Sequence, residues 1–236
     1  MLANAAAPSP ALQFVACDVP PWRLSGTVYG ALLNHAPQLA ALGDAVHQPP
    51  YKAPPRAPVL EVKPRHMLSA DGAVVRVPAG VAALQVGAAL GIVIGTTACR
   101  VPAARALDHV AGWLLVGDIS VPVPSHYRPG ARFKARDGFC PLGARVAPVA
   151  DVPEPLALAG RVEVDGAVVH EFDTGERVRG VAQLLADVTE FMTLQPGDVL
   201  TLGVSHGAPL VAAGHAVRLA IDGIGVLRLR VEAEAA

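Results

Sequence analysis

Hydrophobic positions along this chain come mostly in short runs, and the runs change period from one segment to the next. Thr27–Leu33 is a β-compatible run that stops at the polar pair Asn34–His35. Val59–Lys63 is a second, set off by a loop holding Pro49, Pro50, Pro54, Pro55 and Pro58. Both read as strands bounded by turn formers. From Val77 to Cys99 no residue is charged, and Arg76 and Arg100 flank the segment as they would a membrane span. Pro78, Gly80, Gly87, Gly91, Gly95 and the polar Gln85 interrupt it, however. It therefore reads as buried strands joined by a tight turn, one of them around Leu90–Ile94.

Two segments carry a helical period. Leu107, Val110, Ala111 and Leu114 are spaced for an amphipathic helix over Val101–Trp113. Val181, Leu184, Leu185, Val188, Phe191 and Met192 predict the clearest helix of the chain. Pro196-Gly197-Asp198 ends that helix in a turn, and Val199–Leu202 resumes as strand. Asp165-Gly166 between Arg161–Val164 and Ala167–Val169 is a two-residue hairpin signal. Ala216–Val231 alternates and bends at Asp222-Gly223 or Gly225.

Composition sharpens this picture in three ways. With 236 residues, 52% hydrophobic and 17% charged, the chain can bury one large core, which argues against disorder. Its 23 glycines and 22 prolines favour a strand-rich mixed fold over a helical bundle. Its 19 Lys and Arg against 20 Asp and Glu leave a net charge of -1, which speaks against nucleic acid as a partner. No repeat period divides the sequence, so a single domain over residues 25–236 is expected behind an arm of residues 1–24. Cys17, Cys99 and Cys140 are odd in number and lack CxxC spacing, a poor basis for a disulfide scaffold or a zinc ribbon. The first ten residues lack the basic start and apolar core of a signal peptide, so a reduced cytoplasm is the expected setting.

The densest polar signal is Tyr127–Gly143, where Arg128, Arg132, Lys134 and Arg136 face a single acid, Asp137. Such a cation-rich segment fits an anion site, or else a solvated basic loop. On an extended segment Arg128, Lys134 and Arg136 would project from one face. Lys63 ends an apolar strand and either points into a cleft or reaches solvent. Asp118 follows an apolar run and has the chemistry of a metal ligand, a general base or a helix cap. The eight histidines show no metal-ligand spacing, and Ser205-His206 is no nucleophile elbow.

Taken together, GTVYGALLNH, YKAPPRAPVLEVKPRHM, ALGIVIG, DHVAGWLLVGDIS, SHYRPGARFKARDGFCPLG and TEFMTLQPGDVLTLG make the chain resemble the fumarylacetoacetate hydrolase family from Gly26 to about Val231. The resemblance implies an α+β fold, a mixed β-roll with flanking helices. It implies decarboxylation of 5-oxopent-3-ene-1,2,5-tricarboxylate and/or isomerisation of 2-hydroxyhepta-2,4-diene-1,7-dioate in 4-hydroxyphenylacetate breakdown. The alternative it leaves open is a non-catalytic subunit that supports a metal-bearing paralogue. Lys63, Asp118 and Lys134 are then the expected catalytic residues, and Tyr127, Arg128, Lys134 and Arg136 the expected substrate-binding ones. The expected partners are a di- or tricarboxylate and a second subunit, as homodimer or paralogue, with no nucleic acid and no membrane.

Members of the family bind Mg²⁺ or Mn²⁺ through a Glu-x-Glu pair and an Asp. Here the Glu positions fall on Gly87 and Ala89, and Asp118 alone matches. Weak metal binding follows, because one carboxylate holds a hard cation poorly. The family's His and Glu after the first strand fall on Gln38 and Ala41, its NDxSxRD arginine on Pro122, and its GTP turn on Gly203-Val204-Ser205.

Overall fold

The computed structural model describes residues 26–123, 125–127 and 130–234, so the arm expected over residues 1–24 lies outside the described residues. Among the described residues two sheets form. The larger holds β1 (Val28–Leu32), β2 (Val59–Lys63), β3 (Leu68–Ala70), β5 (Leu84–Ile94), β6 (Val110–Ser120), β7 (Cys140–Pro148), β10 (Val199–Thr201) and β11 (Leu210–Val211). The smaller holds β4 (Ala73–Val77), β8 (Ala159–Val164), β9 (Ala167–Asp173), β12 (Ala216–Ile221) and β13 (Gly225–Ala233). Three short or medium α-helices accompany them: α1 (Ala36–Ala40), α2 (Ala131–Lys134) and α3 (Val181–Phe191).

The uncharged run becomes the end of β4 and the whole of β5, which pairs antiparallel with β6 from Gln85 opposite Ser120 to Ile94 opposite Val110. Both strands are covered on both faces, which is why their sequences read as nearly continuous apolar runs. Among the described residues no helix is long and apolar enough to cross a membrane. β13, by contrast, alternates: Leu227, Leu229 and Val231 are buried, while Arg228 and Arg230 face out. Its inner residues join Val217, Leu219 and Ile221 of β12 in one core with β5 and β6.

The helix expected over Val101–Trp113 is a correction. Ala103–His109 forms 3₁₀ turns, and from Val110 the chain is strand. Between β5 and β7 the backbone of Trp113 and its neighbours finds ladder partners on both sides, and Gly112 lies so close to the Ala147 carbonyl that no side chain fits. Tertiary pairing overrides the local period. Other expectations match closely. The hairpin turns at Asp165 (φ 48°) and Gly166 (φ 86°), the positive angles that favour Asp-Gly there. α3 buries Val181, Leu184, Leu185 and Val188. The Asp198 carboxylate accepts the amides of Thr27 (2.6 Å) and Gln195 (2.7 Å), tying the turn before β10 to the start of β1.

In the larger sheet the strands run β2-β1-β10-β5-β6-β7-β3. Its two edges, β2 and β3, are consecutive in sequence and joined through residues 64–67 alone. Four residues span at most about 14 Å, far less than the width of a flat seven-strand path at about 4.8 Å per strand. The sheet must therefore be rolled, and its concave face is where the site is built.

Candidate functional site

β2 alternates, so Glu61 and Lys63 share one face and point into the roll. Gly30 lies opposite Glu61, and a Cβ there would sit 2.8 Å from Glu61 Oε1; its bare backbone leaves room for the carboxylate. Asp118 enters from β6, opposite Gly87 on β5. Lys134 comes from the last position of α2, a single turn following Gly130.

These four side chains meet. Lys63 Nζ lies 2.8 Å from Glu61 Oε1 and 3.1 Å from Asp118 Oδ2. Lys134 Nζ lies 2.8 Å from the same Glu61 oxygen and 3.2 Å from Asp118 Oδ1. Two ammonium groups and two carboxylates thus form a neutral cluster. The Lys63 side chain is wholly buried, whereas that of Lys134 keeps 13% exposure toward a cleft of about 360 Å³. Burial alone would raise the Asp118 carboxyl, but Lys134 and Lys63 outweigh it and hold the group below the usual carboxylate range. Burial would likewise lower Lys63, yet the carboxylates of Asp118 and Glu61 outweigh it and push the group well above the ordinary lysine value. Lys63 is therefore a cation at neutral pH. The Cys140 thiol beneath the cluster is pushed up to about 12 by burial and stays a thiol.

The walls come from two loops. The turn Gly203–Gly207 is fixed by Arg177, whose guanidinium donates to Gly203 O (3.1 Å), Thr174 O (3.0 Å) and Ser205 Oγ (3.1 Å). Burial pulls that guanidinium down to about 10. Ser205 in turn donates to Asp173 O (3.2 Å), a structural use of its hydroxyl. Across the cleft, the Tyr51 hydroxyl accepts the His126 amide (2.9 Å) and bonds Ser125 Oγ (3.1 Å).

The expected residues divide accordingly. Lys63, Asp118 and Lys134 come together. Arg136 does not join them: the expected extended segment is a helical turn over 131–134, which destroys the shared face. Arg136 Nε donates to Arg132 O (3.3 Å), and its side chain borders a separate cleft with Val74 and Arg76. Tyr127 is exposed and packs edge-on against Tyr51, their centroids 5.9 Å apart. Arg128 lies outside the described residues. Asp118 lies within a strand, which removes the helix-cap reading. Glu61 was missed. Its signal was available in the Glu-x-Lys spacing of a strand, which puts both charges on one face.

A charged cluster at the floor of an open cleft in a rolled sheet is the kind of geometry in which small-molecule sites are built. The chain belongs to the fumarylacetoacetate (FAA) hydrolase C-terminal family, matched over residues 27–232. It is 37% identical over 211 residues to the 4-hydroxyphenylacetate degradation bifunctional isomerase/decarboxylase of Salmonella dublin, covering 89% of this chain and 48% of that protein. The chain thus spans about half the length of this relative. Among solved structures it is similar to a 5-carboxymethyl-2-hydroxymuconate delta-isomerase of Mycobacterium smegmatis, at 27% identity and a TM-score of 0.75, covering 90% of this chain and 81% of that one. It is also similar to a fumarylpyruvate hydrolase of Pseudomonas aeruginosa in complex with Mn²⁺ and pyruvate, at 25% identity and a TM-score of 0.73, covering 88% and 90%.

A divalent ion of that kind does not fit the residues present here. A Cβ at Gly87 would collide with Val204 Cγ1, so Val204 fills the space a carboxylate would need. Asp118 and Glu61 are already engaged by two ammonium groups, which repel a dication.

Proposed function

We propose that this chain acts on a small 2-oxo or 2-enol di- or tricarboxylate, as the decarboxylase and/or isomerase of the 4-hydroxyphenylacetate route. The observation that carries this reading is Lys134 Nζ, held between Glu61 and Asp118 at the floor of the cleft. Decarboxylation of a 2-oxo acid with a vinylogous carboxylate and isomerisation of a 2-hydroxydienoate both pass through an enolate. A fixed cation beside that oxygen stabilises the developing charge. Glu61 and Asp118 hold the Lys134 ammonium group in place between them. Lys63 lies behind them as a buried counter-charge, too strongly protonated to act as a nucleophile.

The second reading, a partner subunit of a metal-bearing paralogue, is favoured by Val204 filling the floor and by the half-length match. The test is an assay of the purified chain with 5-oxopent-3-ene-1,2,5-tricarboxylate and with 2-hydroxyhepta-2,4-diene-1,7-dioate. It is run alone and mixed with the paralogue, each with and without Mg²⁺. Turnover by the chain alone, unchanged by Mg²⁺, supports the first reading. Turnover restricted to the Mg²⁺-loaded mixture supports the second.

A further inference from the structure

An enolate site needs a group that takes and returns a proton at carbon, and the charged cluster is unsuited to it. Lys63 and Asp118 are locked in their charged forms, and Glu61 accepts from both ammonium groups. Gln38, Gln85 and Ser120, which also border the cleft, do not titrate near neutrality. His206 borders it too, but it is exposed and stands on the opposite wall.

His126 is different on three counts. It is half-buried in the wall that includes Gly130 and Lys134. Its backbone is fixed twice: its amide donates to Tyr51 Oη, and the flanking Tyr127 amide donates to Ser125 Oγ (3.2 Å), itself bonded to Tyr51. Its ring, however, has no hydrogen-bond partner among the described residues. A fixed backbone carrying an unpartnered imidazole over a cleft is the arrangement of a group kept free for a ligand. Among the described residues, the charged groups that face the ring are Lys134 from α2 and Glu61 from β2. Burial first, and Lys134 second, favour the neutral ring, with Glu61 opposing.

We propose that His126 is a catalytic acid–base residue of this cleft, exchanging a proton with the carbon next to the substrate's oxo group. The neutral ring takes the C–H proton; the C–H electron pair forms the C=C bond, and the carbonyl π pair moves onto oxygen beside Lys134. The imidazolium then returns a proton to the same carbon or to its vinylogous position, and the oxo group re-forms. Proton and charge balance, and no further reactant is needed.

The proposal rests on the enolate reading given above. The test uses the full chain in D₂O with 2-oxopentanedioate as probe, following loss of its C3 protons by ¹H NMR and its binding by calorimetry. Wild type is expected to exchange. His126→Ala is expected to exchange at least fiftyfold more slowly while binding the probe within threefold and melting within a few degrees of wild type. Added imidazole is expected to restore exchange to His126→Ala, a rescue that a merely structural role would not give. Tyr51→Phe, which removes the hydroxyl that fixes the His126 amide, is expected to slow exchange five- to tenfold. Exchange by His126→Ala at the wild-type rate, or slow exchange that imidazole leaves unchanged, overturns the role of His126 and leaves the enolate reading standing. Wild type that binds the probe without exchanging it overturns the enolate reading and this proposal with it.

Discussion

Two clusters in this molecule have the same ionic composition and opposite settings. Lys63, Lys134, Glu61 and Asp118 meet inside the rolled sheet. Arg161, Arg218, Glu163 and Asp222 meet on the solvent side of the smaller sheet, half-buried apart from the exposed Asp222, with Arg161–Asp222 at 3.1 Å and Arg218 bonded to Glu163. The surface cluster is built by register: Arg218 lies directly opposite Glu163, and Arg161 is two positions from Glu163 on the same strand face. The buried one is assembled from β2, β6 and α2 across the curvature of the sheet. Solvent screens the first, so its pairs add little. In the second each ion depends on its partners, because desolvation of an unpaired charge is expensive. One arrangement is a decorated sheet surface; the other holds a cation in a cleft.

The largest expected effect comes from breaking the buried cluster. Lys63→Met leaves two carboxylates sharing Lys134 and should destabilise the chain by about 3–5 kcal/mol, measured by urea unfolding. A change below about 1 kcal/mol would place the two clusters in the same class. Next, Gly87→Glu forces a side chain into Val204 and should be destabilising by about 1–3 kcal/mol. The companion change Val204→Ala should recover part of that loss in the same unfolding experiment.

The pH dependence sharpens the comparison further. Asp118 has a folded-state pKa held below its unfolded value, so its contribution is present above about pH 4 and is lost as pH falls below it. Lys63 has a raised folded-state value, so its contribution is present below about pH 10 and is lost as pH rises through the folded value. Thermal melts should therefore show an acid-side loss of stability that is smaller in a Lys63→Met/Asp118→Asn double variant. The smallest effect belongs to the surface: Arg218→Ala should change stability by roughly 0.2–1 kcal/mol and should lose even that in high salt.

The same contrast explains what the sequence made legible. The Asp165-Gly166 hairpin, α3 and the alternation of β12 and β13 follow from local signals, and the surface cluster follows from their register. Lys63, Asp118 and Lys134 were recognisable one at a time from the motifs around them. Their meeting was not, since it depends on a roll that brings β2 back over β6. Arg136 was misplaced because one helical turn at 131–134 replaces an extended segment, a choice that four residues of sequence do not decide. The strand β6 was misread for the converse reason: its helical spacing is strong locally, and only the partners β5 and β7 overrule it. His126 stands inside the SHYRPGARFKARDGFCPLG stretch, but nothing in that stretch singles it out from the other histidines; its interest arises from Tyr51, more than seventy positions away in the chain.

The central claim is that Lys134 presents a working positive charge to an enolate-like ligand. Oxalate, a planar mimic of an enolised 2-oxo acid, tests it most directly by calorimetric titration of wild type and Lys134→Gln at low and high salt. The account predicts binding by wild type that is about 1.5–3 kcal/mol weaker in Lys134→Gln at both salt concentrations. Equal affinities in the two proteins, or no binding by either, would contradict it.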